Sequence, residues 1–264
     1  MATMMVGDAA LYYREMGSGT PLLLIHGTGG RADDFGAAIE ALARQHRVIV
    51  YDRRGHARSG AKPAAVKGYL NRQAEDAAAL LRGLGAAPAT VVGWSMGGLI
   101  ALCLALEHPD LVSRLVVCEP PFHTVKHMPL SSVAPFLKAL LLSAIGCKRA
   151  AVTAFLRMTL RGPDGASTYD SLDDETRQAV LENADILLHE LKTGTGEEIT
   201  AERLKQLHCP ISAIVGEQTH RLFTEAVQRL SGMLPQMRVT HVPAAGHLLV
   251  LSHPATFAQL ALQP

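Results

Sequence analysis

Thr90-Val91-Val92-Gly93-Trp94-Ser95-Met96-Gly97-Gly98 is the stretch on which the reading of this chain turns. A β-branched run stops at a glycine, a serine follows, and an apolar helical pattern continues from Met96 to Glu107. Gly-x-Ser-x-Gly set between a strand and a helix predicts a nucleophile elbow. So sharp a turn holds Ser95 in a strained backbone conformation and lifts its hydroxyl above the strand ends. Gly93, Gly97 and Gly98 carry no side chains, so strand and helix can approach closely. The helix N-terminus adds unpaired N–H groups and positive potential beneath a developing oxyanion. Ser95 is the candidate nucleophile, and Trp94, the only tryptophan in the chain, immediately precedes it.

Working outward, the same kind of short apolar run recurs at Pro21–Ile25, Arg47–Tyr51, Leu115–Cys118, Ile211–Val215 and Arg238–Val242. Continuous β-branched runs suit a parallel sheet covered on both faces. Helical patterns fall between them at Asn71–Leu84, Arg221–Met233 and Thr256–Leu262, which predicts an α/β layered fold. One segment breaks the alternation. From Phe122 to Ile199 only helical patterns occur. Ser131 or Ser132 is expected to cap a helix carrying Val133, Phe136, Leu137, Leu140, Leu141 and Ile145. Ser171 with Asp174 is expected to form a capping box ahead of a helix running towards Leu191. The predicted organisation is a core of residues 1–121 and 200–264, interrupted by a helical cap of residues 122–199. The cap begins at the carboxyl end of a strand, where open α/β sheets bind their ligands.

Composition bounds the function. The chain has 264 residues, 48% of them hydrophobic, with 25 basic against 24 acidic side chains. So apolar a chain is not disordered, and so even a charge balance lacks the basic face that holds a nucleic acid. Met1 to Asp8 has neither a basic n-region nor a long apolar h-region, and Val133–Cys147 is interrupted by Lys138 and too short to span a bilayer. Cys103, Cys118, Cys147 and Cys209 show no metal or disulfide spacing and read as reduced, buried small hydrophobes. A cytoplasmic protein without a membrane partner is expected.

On these residues the chain resembles the α/β-hydrolase superfamily across essentially the whole core. His26-Gly27-Thr28-Gly29-Gly30 resembles that family's oxyanion loop, and Tyr51-Asp52-Arg53-Arg54-Gly55-His56 its turn after the next strand. Ala245-Gly246-His247 resembles its histidine loop. The resemblance implies a mostly parallel eight-stranded sheet flanked by helices, with a helical cap between strands six and seven. It further implies oxyanion donors at the N–H groups of Met96 and Thr28, with Gly27 shaping the loop.

Twelve histidines compete for the role of base. His247 comes last in the order Ser–acid–His and follows a loop of small residues, Pro243–Gly246, that can turn an imidazole over the sheet. His26 reads as a residue that holds its loop by hydrogen bonding. His123 and His127 lie four apart but lack a third ligand, so they read as pocket lining or a solvated face, and no metal is expected.

The acid departs from the family pattern. Where relatives usually carry an Asp after strand seven, this chain reads Gly216-Glu217-Gln218-Thr219, and Thr219 cannot hold a negative charge. Glu217 is one substitute. The preferred one is Glu119 in Val117-Cys118-Glu119-Pro120-Pro121, at the end of the strand beside that of Ser95. Its proline neighbour predicts an extended backbone there. This arrangement resembles that of the zearalenone-lactonase-like hydrolases, whose acid is a Glu after strand six.

The expected chemistry is acyl transfer from a small, largely apolar ester or lactone through an acyl-enzyme on Ser95, with no cofactor. Trp94, His123, His127, Met128, Phe136, Phe155 and Met158 are the candidate pocket residues, whereas Arg157 and Arg161 read as solvated. A carbon–carbon bond hydrolase with the same three residues, or a non-catalytic ligand receptor on the same scaffold, remains an alternative.

Overall fold

A computed structural model describes residues 2–60 and 62–263. Its strands are β1 (Ala2–Val6), β2 (Ala9–Met16), β3 (Thr20–Ile25), β4 (His46–Tyr51), β5 (Ala89–Trp94), β6 (Val112–Cys118), β7 (Ile211–Gly216) and β8 (Arg238–Val242). They form one sheet in the order β1-β2-β4-β3-β5-β6-β7-β8. The β1–β2 and β2–β4 pairs are antiparallel, and every other pair is parallel. The continuous apolar runs are explained by burial on both faces. Leu23, Ile25, Val91, Leu115, Val117 and Val215 join one apolar cluster with helices Tyr69–Gly83, Met96–Glu107 and Arg221–Met233. Their neighbours Leu22, Leu24, Val92, Val116 and Ile214 point the other way, against helices Ala37–Ala43 and Pro254–Leu262. Strands β1 and β2 and the helix Ala37–Ala43 carry too weak or too short a pattern to be read from the sequence alone.

All the long helices between β6 and β7 belong to one excursion, namely Leu130–Ala144, Lys148–Thr159, Asp174–Glu182 and Ala184–Glu190. Ala151, Val152, Ala184, Leu187 and Leu188 form an apolar cluster of its own within it. Local details differ from expectation. The first helix begins at Leu130 behind Pro129, so Ser131 and Ser132 lie inside its first turn and cap nothing. Its apolar residues occur all round, and spacing could not say which would be buried. Leu137, Leu141 and Ile145 prove exposed, while Ala139 is buried.

The Ser171–Asp174 capping box does not form. Asp173 caps instead, its carboxylate accepting from the Thr176 N–H at 2.7 Å, while the Ser171 hydroxyl donates to the Thr168 carbonyl. The helix then stops at Glu182, and a separate one runs to Glu190. Cys103 and Cys118 are buried as expected, but Cys147 is exposed at a helix start. Among the described residues no helix is long and apolar enough to cross a membrane.

The β5–helix junction needs its glycines. A side chain on Gly97 would place Cβ 2.0 Å from the Ile25 carbonyl oxygen, and one on Gly93 would lie 2.2 Å from that of Gly97. Both obstacles are backbone atoms and cannot rotate aside. Gly97→Ala is therefore expected to lower unfolding free energy by about 3 kcal/mol in urea melts. A loss below about 0.5 kcal/mol would show that the junction is not close-packed.

Candidate active site

Ser95 sits at the end of β5 with φ 54° and ψ −123°, a conformation that favours glycine. Such a backbone costs on the order of 1–3 kcal/mol and persists only where neighbours over-determine it. Here the Ser95 N–H donates to the Cys118 carbonyl at the end of β6 (2.8 Å), and its carbonyl accepts from the Gly98 N–H (2.8 Å). Ser95 is buried, and its hydroxyl lies 3.2 Å from His247 Nε2.

His247 follows β8, on the loop expected to turn back over the sheet. Two aromatic contacts fix it. The Trp94 indole N–H donates to the His247 carbonyl at 3.0 Å, so the lone tryptophan anchors the histidine loop as well as packing in the core. Phe223 stacks on the imidazole with centroids 3.7 Å apart and planes 8° from parallel. Sequence reasoning missed Phe223, because nothing local marks one apolar helical residue as the histidine's partner.

Glu119 is fully buried and meets His247 on the side away from Ser95, with Oε2 2.5 Å from Nδ1. Two further donors hold it: the Gly216 N–H to Oε1 at 2.7 Å and the Thr219 hydroxyl to Oε2 at 2.8 Å. Thr219, read as an empty position, supplies a hydrogen bond to the carboxylate. The extended backbone expected before Pro120 is not found. Glu119 has φ 48°, and the strain accompanies a carboxylate turned in under the end of β7, with its N–H on the Ile214 carbonyl at 3.2 Å. Glu217 is exposed and lines a separate surface groove with Arg221 and Glu225.

Ser95 and His247 open on a cavity of about 240 Å³, roughly eight water volumes, with Glu119 buried behind the histidine. Gly27, Thr28, Trp94, Met96, Met128, Phe136, Phe155 and Met158 line it together with Ser95 and His247. A side chain on Gly27 would lie 3.1 Å from Ser95 Cβ, so the oxyanion-like loop touches the serine. His123 and His127 are not part of the wall. His123, at φ 56°, stacks on Phe122 with Nε2 2.9 Å from the Gly196 carbonyl, and His127 is exposed. Arg157 is exposed and paired with Asp170. Asp34 also lines the cavity, and burial pushes its carboxyl up to about 6 despite its bonds to Arg31.

Comparison with known proteins agrees with this fold. The family described as alpha/beta hydrolase fold matches residues 20–254. The chain is 30% identical over 259 residues to a pimeloyl-[acyl-carrier protein] methyl ester esterase of Chromobacterium violaceum, covering 94% of this chain and 95% of that one. It is 40% identical to the Bacillus subtilis hydrolase YraK over 119 residues, a match spanning 45% of this chain and less than half (44%) of that relative. A hydrolase from Pseudomonas aeruginosa PA01 superposes with a TM-score of 0.81 at 21% identity, covering 99% of this chain and 96% of that one. The chain belongs to the α/β-hydrolase family.

Proposed function

We propose that this hydrolase cleaves a carboxylic ester or lactone of a small, largely apolar molecule through an acyl-enzyme on Ser95. The single observation carrying this reading is the unbroken series Ser95 Oγ, His247 Nε2, His247 Nδ1, Glu119 Oε2. A non-catalytic receptor would have no use for a strained serine aligned with a buried imidazole–carboxylate pair. Residues 122–199 act in this reading as the cap that closes the pocket.

Ser95 Oγ attacks the carbonyl carbon as its proton passes to His247 Nε2. Glu119 holds the Nδ1 proton in place and stabilises the imidazolium that forms. The N–H groups of Met96 and Thr28 receive the oxyanion. Collapse of the tetrahedral intermediate expels the alkoxide, which takes the proton back from His247. Water then repeats the sequence on the acyl-enzyme and releases the acid. With a lactone, both halves leave as one hydroxy acid. Met128, Phe136, Phe155 and Met158 give the substrate an apolar wall, which supports an uncharged acyl or ring-bearing partner. The name of the relative matched along almost its whole length, a methyl ester esterase, agrees with ester cleavage.

Turnover of a p-nitrophenyl ester separates the two carboxylates. Glu119→Gln is expected to lower kcat by about 10³–10⁴ with the fold intact, and Glu217→Gln to leave it within about twofold. The reverse pattern would move the acid to Glu217, and an inactive wild type on esters and lactones would remove the proposal.

Thr219→Val removes one hydrogen bond to a carboxylate, worth about 1.5 kcal/mol, and should cost about tenfold in kcat. Unchanged kcat would mean that Thr219 does not steer Glu119. Trp94 both lines the cavity and bonds the histidine loop, so a bound substrate analogue is expected to shift the protein's only tryptophan emission. An emission unchanged at saturation would put the ligand elsewhere.

A further inference from the structure

Apart from the Ser95–His247–Glu119 series, a cluster of buried ionisable groups joins the helix Ala184–Glu190 to the loop that touches Ser95. Arg53 and Glu190 are both fully buried and lie 2.7 Å apart. Glu190 Oε1 also accepts from the Tyr69 hydroxyl at 2.8 Å, and Oε2 accepts from the Gly29 N–H at 3.0 Å. The second terminal nitrogen of Arg53 donates to the Gly27 carbonyl at 2.8 Å. His26 completes the arrangement. Its Nε2 accepts from the Arg53 N–H at 3.0 Å, which leaves the proton on Nδ1, 2.9 Å from the same Gly27 carbonyl. Burial first, and Arg53 second, push His26 well below the usual histidine range, in keeping with that neutral tautomer.

A buried ion pair is poor evidence for stability, because desolvation offsets its attraction and apolar side chains of similar volume often serve as well. Its geometry here has a more specific consequence. The Gly27 carbonyl and the Thr28 N–H belong to one trans peptide, so they point in opposite directions. Arg53, His26 and the Gly30 N–H (3.2 Å) all hold that carbonyl on the buried side. The Thr28 N–H is thereby turned away from the cluster, and Thr28 lines the cavity. Among the described residues this N–H has no protein acceptor, whereas the next one along, that of Gly29, is taken by Glu190.

We propose that Arg53 and Glu190 are positioning residues that fix the Gly27–Thr28 peptide plane, so that the oxyanion site is complete only while the cap helix bearing Glu190 is seated. The proposal rests on the ester-cleavage reading above. The cap then does more than enclose the substrate, since one of its own carboxylates aligns a donor for the reaction.

The charges also set an acid limit. Burial opposes ionisation of Glu190, but Arg53 and His56 outweigh it and hold the carboxyl well below the usual carboxylate range; the Tyr69 hydroxyl donates to it, and His26 lies near enough to feel its charge. A carboxyl lowered on folding stabilises fully above its unfolded value of about 4.3 and loses that contribution as pH falls. Wild-type Tm should therefore drop more steeply between about pH 5 and 3 than that of an Arg53→Met/Glu190→Leu double variant. Parallel curves would mean that the pair does not couple to folding.

The deciding experiment compares an ester with its thionoester, whose sulfur accepts hydrogen bonds poorly, in Glu190→Gln and in the charge-free double variant. The double variant guards against the first failing to fold around an unpaired Arg53. Expected for either folded variant are a KM within about twofold of wild type, a kcat for the ester lower by about 10²-fold, and a much smaller loss on the thionoester. Equal losses on both substrates, or wild-type kcat on the ester, would overturn the positioning role. A wild type that turns over neither substrate would instead defeat the ester-cleavage reading, and this proposal with it.

Discussion

One buried carboxylate ties the working end of this sheet together. Glu119 leaves the end of β6, donates its own N–H to β7, accepts from Gly216 at the end of β7 and from Thr219 in the loop beyond, and meets His247 after β8. Ser95, at the end of β5, donates its N–H to the residue before Glu119. Four strand ends are thus set against each other by hydrogen bonds that water does not reach. An acceptor of this kind is costly to leave unpaired inside a protein, so its donors are held as firmly as it is.

The strain is concentrated in the same place. Ser95 and Glu119 both have positive φ, at 54° and 48°, although neither is a glycine. They occupy the ends of neighbouring strands, and each is held by bonds to the next strand along. Backbone strain at a pair of adjacent candidate side chains suits a site whose orientation matters more than its contribution to stability. The helical excursion completes the picture from above. It supplies the apolar wall of the cavity and, through Glu190, a contact to the loop beside the serine.

What could be read from the sequence followed the range of the physics involved. The elbow was legible because glycine, strand and helix signals all fall within a dozen residues of Ser95. His247 could be singled out from twelve histidines by chain order and its small-residue loop. Glu119 came from resemblance and from the charge missing at Thr219, yet its backbone was misjudged. A local rule about residues before proline gave way to hydrogen bonds reaching 97 and 128 residues away. Distance also hid Glu190, which touches Gly29 across 161 positions, and Phe223, whose stack on His247 no local pattern announces. The exposed Leu137 and Leu141 show the converse, since a helix apolar on every side does not say which side will be covered.

Covalent chemistry at Ser95 is the claim on which the functional account stands. Rapid-quench mixing with an activated ester, followed by intact-mass measurement and peptide mapping, tests it directly. An adduct of one acyl group on the peptide carrying Ser95 is expected, formed before steady-state release of the acid. Steady product formation with no such adduct, or an adduct on another residue, would contradict it.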